Sequence, residues 1–111
     1  MIETNELKVL FPVWELEPFL KVGGLGEVAR SLPHALKSRG VDIRVVLPHY
    51  KAMKMWRQRP KYLGSVVVIY GGKKITTRVS SISFLNSPIP VYLLSNKKFF
   101  DKPVLETYSM F

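Results

Sequence analysis

The chain has 111 residues, of which 47% are hydrophobic, and it carries no cysteine, two histidines and a formal net charge of +9. That length suits one modest domain or part of a larger one, and the hydrophobic content argues against disorder. Without cysteine there is no disulfide framework, cysteine-held zinc or thiol catalysis, and two histidines argue against a histidine metal centre.

The charge is uneven: net −2 over residues 1–31, +10 over 32–79 and +1 over 80–111. A basic middle can attract nucleic acid, an anionic membrane or a phosphorylated substrate, or it can be a solvated lysine-rich surface. No apolar run approaches the roughly 20 residues that cross a bilayer. The start, MIETNE, is acidic and lacks the basic opening of a secretory signal. A cytoplasmic protein with no membrane partner is therefore expected, with residues 1–6 as a leader.

In chain order, LKVLFPV (Leu7 to Val13) is a nearly continuous apolar run, as expected of a strand buried on both faces in a parallel sheet. An irregular loop, WELEPFLKVGG, follows, broken by Pro18 and the glycine pair. From Leu25 to Arg39 the spacing predicts a helix whose apolar face is Leu25, Val28, Ala29, Leu32, Ala35 and Leu36. His34 is expected to look outward, and Pro33 is expected to kink or divide the helix. Gly40 is a natural stop. VDIRVVLP (Val41 to Pro48) reads as a second strand, so residues 7–50 form one βαβ unit around a glycine loop.

The connection HYKAMKMWRQRPKY is polar and basic without a convincing period. YLGSVVVIY and KITTRVSSISF flank a glycine turn and predict a hairpin over residues 63–84. SPIPVYLLSN supplies a third parallel strand within residues 89–95, after which Asn96 could cap a short turn through Phe99 and Phe100. The tail, DKPVLETYSMF, has no evident terminator. The fold class is α/β: a partial Rossmann-like parallel sheet with a β-hairpin excursion.

The stretch FLKVGGLGEV places Lys21 and three glycines just before the helix. A helix N-terminus has unpaired N–H groups and a partial positive charge, and glycines let amides approach an anion closely and adopt angles closed to other residues. The alternative is that the glycines merely permit a tight turn. A Walker A loop would need its lysine after the glycines, followed by Ser or Thr, and here Lys21 precedes them. Gly24, Gly26 and Ala29 match the letters of a dinucleotide fingerprint. However, the first strand ends about ten residues earlier and no acidic residue follows the second strand.

KVLFPVWELEPFLKVGGLGEVARSLPHALKSRGVDIRVVLPHY resembles the opening of the bacterial glycogen synthases and plant starch synthases. The matching residues are Glu15, Pro18, Lys21, Val22, Gly23, Gly24 and Leu25 in the loop, Leu32 and Pro33 in the helix, Gly40, and then Leu47, Pro48 and Tyr50. IPVYLLSNKKFFDKP (Ile89 to Pro103) resembles a later segment of the same family. The resemblance implies a GT-B type fold and a retaining transfer of glucose from ADP-glucose to the non-reducing end of an α-1,4-glucan, with no metal or cofactor.

It also implies roles for individual residues. Lys21 would contact the diphosphate of ADP-glucose, and the Gly23 and Gly24 amides would face the phosphates and the transferred sugar. Glu15 would orient the loop through hydrogen bonds, with direct substrate contact as the alternative. Glu27, where the family often has Asp, would lie near the sugar and acceptor. Trp14 stands where the family usually has a small residue. The family's second domain, with its arginine, lysine and glutamate motifs, has no counterpart here, and neither does the N-domain histidine. The chain alone is therefore expected to be inactive, and no catalytic residue is assigned within it.

Two other readings remain: a non-catalytic module that binds nucleotide-sugar or glucan or complements a separate chain carrying the C-terminal nucleotide-binding domain, and a nucleic-acid module. For the second, Lys51, Lys54, Arg57, Arg59 and Lys61 interleave with Tyr50, Trp56 and Tyr62. The bland counterpart is a solvated loop whose aromatics pack on the sheet.

Overall fold

The structure, a computed structural model, describes residues 7–84 and 86–100. The leader at 1–6 and the tail from 101 onward lie outside the described residues. The element order is β1 (Lys8–Pro12), α1 (Leu25–Ser38), β2 (Asp42–Pro48), β3 (Lys61–Tyr70), β4 (Lys73–Ser83) and β5 (Pro90–Ser95). They form one five-stranded sheet in the order β1-β2-β5-β4-β3. β1, β2 and β5 run parallel, and β4 and β3 follow antiparallel to complete the sheet.

The turns obey their local chemistry. Gly71 and Gly72 join β3 to β4 with φ of 61° and 75°. Two consecutive positive φ values are what a two-residue hairpin turn demands of its centre. Helix α1 ends in a Schellman arrangement: Val41 N–H donates to Leu36 O at 3.2 Å, Gly40 N–H donates to Lys37 O at 2.9 Å, and Gly40 has φ 88°. Satisfying those last carbonyls is what makes glycine the stop there.

Three expectations about the helix are corrected. Pro33 does not divide the helix, which runs unbroken over fourteen residues. Its buried residues are Gly26, Ala29 and Pro33, while Leu25, Val28 and Leu32 are 45%, 56% and 41% exposed. The buried stripe is thus rotated by one residue, about 100°, because small residues let the helix axis approach the sheet and the leucines then turn outward. His34 is half-buried rather than outward-facing, with its ring edge-on to Phe84 at 4.7 Å between centroids.

β1 is not buried on both faces. Its pattern alternates, and Leu10 is 61% exposed. The helix and loops cover one face, where Val45, Leu47, Val91 and Leu93 are fully enclosed. The other face is open around Leu10 and Arg44, while Trp14 and Phe100 lie against Val46, Pro48 and Leu94 at its C-terminal rim. β3, the outer strand, is exposed along nearly its whole length, with Val67 at 59% and Ile69 at 71%.

The basic connection between β2 and β3 is pinned down. Gln58 mimics a strand edge: its amide donates to Ser83 O at 2.6 Å and its oxygen accepts from Ser83 N–H at 3.0 Å. Trp56 donates to Pro18 O at 3.1 Å, and Lys54 N–H donates to Phe19 O at 2.9 Å. Its aromatics do not all pack on the sheet: Tyr50 is buried, but Trp56 and Tyr62 are half exposed.

Candidate functional site

The glycine loop leaves the C-terminal end of β1 and enters α1. Glu15 lies beneath it, 2% exposed. Its carboxylate accepts Val22 N–H at 3.0 Å, Gly23 N–H at 3.1 Å and Gly26 N–H at 2.7 Å. A negative charge at a helix N-terminus is favourable, and hydrogen bonds to a charged acceptor are the strong kind. The first anion held by this loop is therefore the protein's own carboxylate, and the loop-orienting role read for Glu15 is visible in its geometry.

The loop is fastened elsewhere as well. Glu17 N–H donates to Gly26 O at 3.1 Å, and Leu16 and Leu20 exchange backbone hydrogen bonds at 2.9 Å around the buried Phe19. Burying Leu16 and Phe19 stabilises this turn by about 1.5–3 kcal/mol each.

The glycines serve space rather than torsion. Positive φ occurs at Gly40, Gly64, Gly71 and Gly72, not at Gly23, Gly24 or Gly26. This corrects the expectation of special backbone angles in the loop. A Cβ at Gly24 would meet nothing within 4 Å, so its outer side is open to an approaching group. Among the described residues its N–H has no hydrogen-bond partner. A Cβ at Gly26 would lie 3.3 Å from Lys21 Cγ and 3.5 Å from Glu15 Oε1.

Lys21 therefore lays its aliphatic stem across Gly26, over the first turn of α1. Its ammonium donates to Glu27 Oε1 at 2.6 Å, with both side chains well exposed. That hydrogen bond raises the Lys21 pKa and lowers that of Glu27. Neither charge is buried, and exposed pairs of this kind hold weakly, so an incoming anion can compete for the ammonium.

The structure thus brings Glu15, Lys21, Gly23, Gly24 and Glu27 into one constellation, with Gly23 N–H turned inward to Glu15 and Gly24 turned outward. Sequence reading gave Gly26 no role. Its signal was a glycine inside the first helical turn, where alanine would be favoured, which points to a close approach by another group.

Beside the loop, at the same rim of the sheet, Pro12, Val13, Trp14, Val46, Pro48, Leu94 and Phe100 enclose a cavity of about 160 Å³. The C-terminal ends of parallel strands are where open α/β sheets bind ligands. Next to it, His49 N–H donates to Leu94 O at 2.8 Å and His49 Nδ1 lies 3.3 Å from Ser95 Oγ. Burial lowers the His49 pKa. No group of three or more His, Asp or Glu able to hold a metal occurs among the described residues, and none of their helices is long and apolar enough to cross a membrane.

The family described as the starch synthase catalytic domain matches residues 8–110. A glycogen synthase of Lacticaseibacillus casei is 36% identical over 104 residues, 92% of this chain and 21% of the relative. One of Desulfitobacterium hafniense is 38% identical over 95 residues, 85% of this chain and 20% of the relative. Among solved structures, the catalytic domain of starch synthase IV from Arabidopsis thaliana, bound to ADP and acarbose, superposes with a TM-score of 0.69 at 28% identity. That match covers 79% of this chain and 18% of the other. The chain spans about a fifth of the length of the curated relatives it matches.

Proposed function

This chain belongs to the starch synthase catalytic domain family, and on that premise we propose that it is the N-terminal portion of a glycogen or starch synthase. The reaction served would move glucose from ADP-glucose to the non-reducing end of an α-1,4-glucan with retention. The observation that carries this reading is the Lys21 ammonium, whose stem crosses Gly26 over the first turn of α1 and which is held there only by the exposed Glu27.

In such a transfer the leaving diphosphate gains charge as the glycosidic bond breaks. Preorganised positive groups accelerate the step by meeting that charge. Lys21 exchanges its Glu27 partner for a phosphate oxygen, and the Gly24 N–H donates to the same group. Gly23 shapes the turn, its own amide being committed to Glu15. Glu27, released from Lys21, faces the sugar. The base, the ribose and most of the diphosphate would be held by a second domain, so this chain alone turns over no substrate.

A complementing arrangement, in which a separate chain supplies that second domain, is favoured by the exposed Leu10 on the sheet and the outward Leu25 and Leu32 of α1. Parallel sheets are stable with both faces covered. The test mixes the 111-residue chain with the remaining C-terminal part of the Lacticaseibacillus casei relative and follows glucan elongation from labelled ADP-glucose. Turnover is expected only in the mixture, and Lys21→Ala is expected to lower it roughly 100-fold, the usual cost of one transition-state contact. Elongation by the chain alone, or a mixture indifferent to Lys21→Ala, would overturn the reading.

A further inference from the structure

A second polar constellation lies across the antiparallel half of the sheet. Ser65 on β3 pairs with Arg78 on β4, and Arg78 pairs with Ser95 on β5. Directly opposed residues project to the same face of a sheet. The three therefore form one row of hydroxyl, guanidinium and hydroxyl. Asn96, Lys97 and Lys98 follow directly, and together with Thr76 these residues line an open groove of about 530 Å³.

The row is held in place. The Arg78 guanidinium stacks on the Tyr62 ring at 4.2 Å, and Tyr62 Oη lies 2.9 Å from Ser65 Oγ. Asn96 Oδ1 accepts Lys98 N–H at 3.0 Å and Phe99 N–H at 3.3 Å, while Asn96 Nδ2 donates to Thr77 Oγ1 at 3.3 Å. That cap fixes the turn carrying both lysines beside Arg78. Arg78, Lys97 and Lys98 thus line one groove with both hydroxyls, Ser95 Oγ lying 3.3 Å from His49 Nδ1 and Lys98 Nζ 5.6 Å from the Phe99 ring centroid.

None of these cations has a carboxylate partner among the described residues. Those residues contain four carboxylates: Glu15, Glu17, Glu27 and Asp42. Glu15 is bound to loop amides, Glu17 lies 3.6 Å from Arg30, Glu27 holds Lys21, and Asp42 lies 3.4 Å from Arg44. The first three sit at the α1 end of the sheet, and Asp42 at the opposite end of β2. The centre of the row is three strands from β1, about 14 Å at the usual strand spacing, so it is separate from the Lys21 loop.

We propose that the Ser65–Arg78–Ser95 row, with Lys97 and Lys98, is a binding site for a phosphate monoester. Such a group carries about 1.5 to 2 negative charges at neutral pH and three acceptor oxygens. Arginine presents a planar fork to two of those oxygens, lysine supplies point charge, and the serines complete the shell. A lone carboxylate would leave at least two of the three cations unmatched.

The test titrates the 111-residue chain with inorganic phosphate and follows backbone amide shifts. Saturable shifts are expected at Arg78 and Ser95 to Lys98. Arg78→Gln, and separately Lys97→Gln with Lys98→Gln, should each weaken binding ~10-fold, as loss of a charge-assisted contact does. Both sites are exposed, and native amide dispersion verifies folding. A maltodextrin bearing phosphate monoesters, compared with the unphosphorylated polymer, identifies the source. Tighter binding than inorganic phosphate indicates a phosphorylated glucan, and equal binding indicates a free phosphate. The proposal is overturned by non-saturating shifts, by affinity indifferent to both variants, by equal binding of unphosphorylated maltodextrin, or by preference for an oligonucleotide. Shifts confined to residues 21–27 would also overturn it while leaving the Lys21 reading intact.

Discussion

Replacing Glu15 with glutamine tests whether the loop is built on an internal anion. The carboxylate receives four contacts from three amides, the shortest being Gly26 N–H at 2.7 Å. A glutamine of the same shape has one acceptor oxygen, which can stay on Gly26, and its NH₂ then faces the Val22 and Gly23 donors. About two charge-assisted bonds are lost, each ~1.5–3 kcal/mol. Val22 and Gly23 are exposed enough to regain water, so the net loss should be ~2–3 kcal/mol, a large share of the 5–15 kcal/mol typical of a domain. Urea unfolding measures the total, and amide exchange at Gly23 and Gly26 localises it. Glu15→Asp keeps the charge but is one methylene shorter, cannot span Val22 and Gly26 together, and should fall between. A loss below ~0.5 kcal/mol, the scale of an inert surface change, with unaltered protection would refute the internal-anion account.

Gly26→Ala should separate stability from binding. The helix gains up to ~1 kcal/mol of propensity, but the new methyl lies 3.3 Å from Lys21 Cγ and displaces that flexible stem. Urea midpoints should hold or rise while turnover of the complemented enzyme falls; unchanged turnover would show that the Lys21 stem does not need the bare Gly26 surface. His49 supplies a pH dependence. Burial lowers its folded pKa, so the unfolded chain binds more protons between the folded value and the ordinary one near 6.5. Stability should be intact above that range and decline as pH falls through it, and His49→Gln should flatten the decline in thermal midpoints measured against pH. A parallel decline in the variant would assign it to another group.

Much of the architecture is legible in the sequence because it is set by neighbours along the chain. Gly71 and Gly72 turn the hairpin because two positive φ values exclude most side chains, and Gly40 ends the helix for the same reason. The order of strands and helix follows from the alternation and spacing of apolar residues, and the glycine pair before α1 marks the loop that leads into the helix. Packing decided which way the parts face. α1 seats Gly26, Ala29 and Pro33 on the sheet because small residues allow a closer approach than the leucines whose periodicity predicted the face. Glu15 reaches the Gly26 amide eleven residues ahead, and Arg78 meets Ser65 and Ser95 from two different strands. Contacts of that range depend on where the folded chain returns in space, and no local propensity encodes that position.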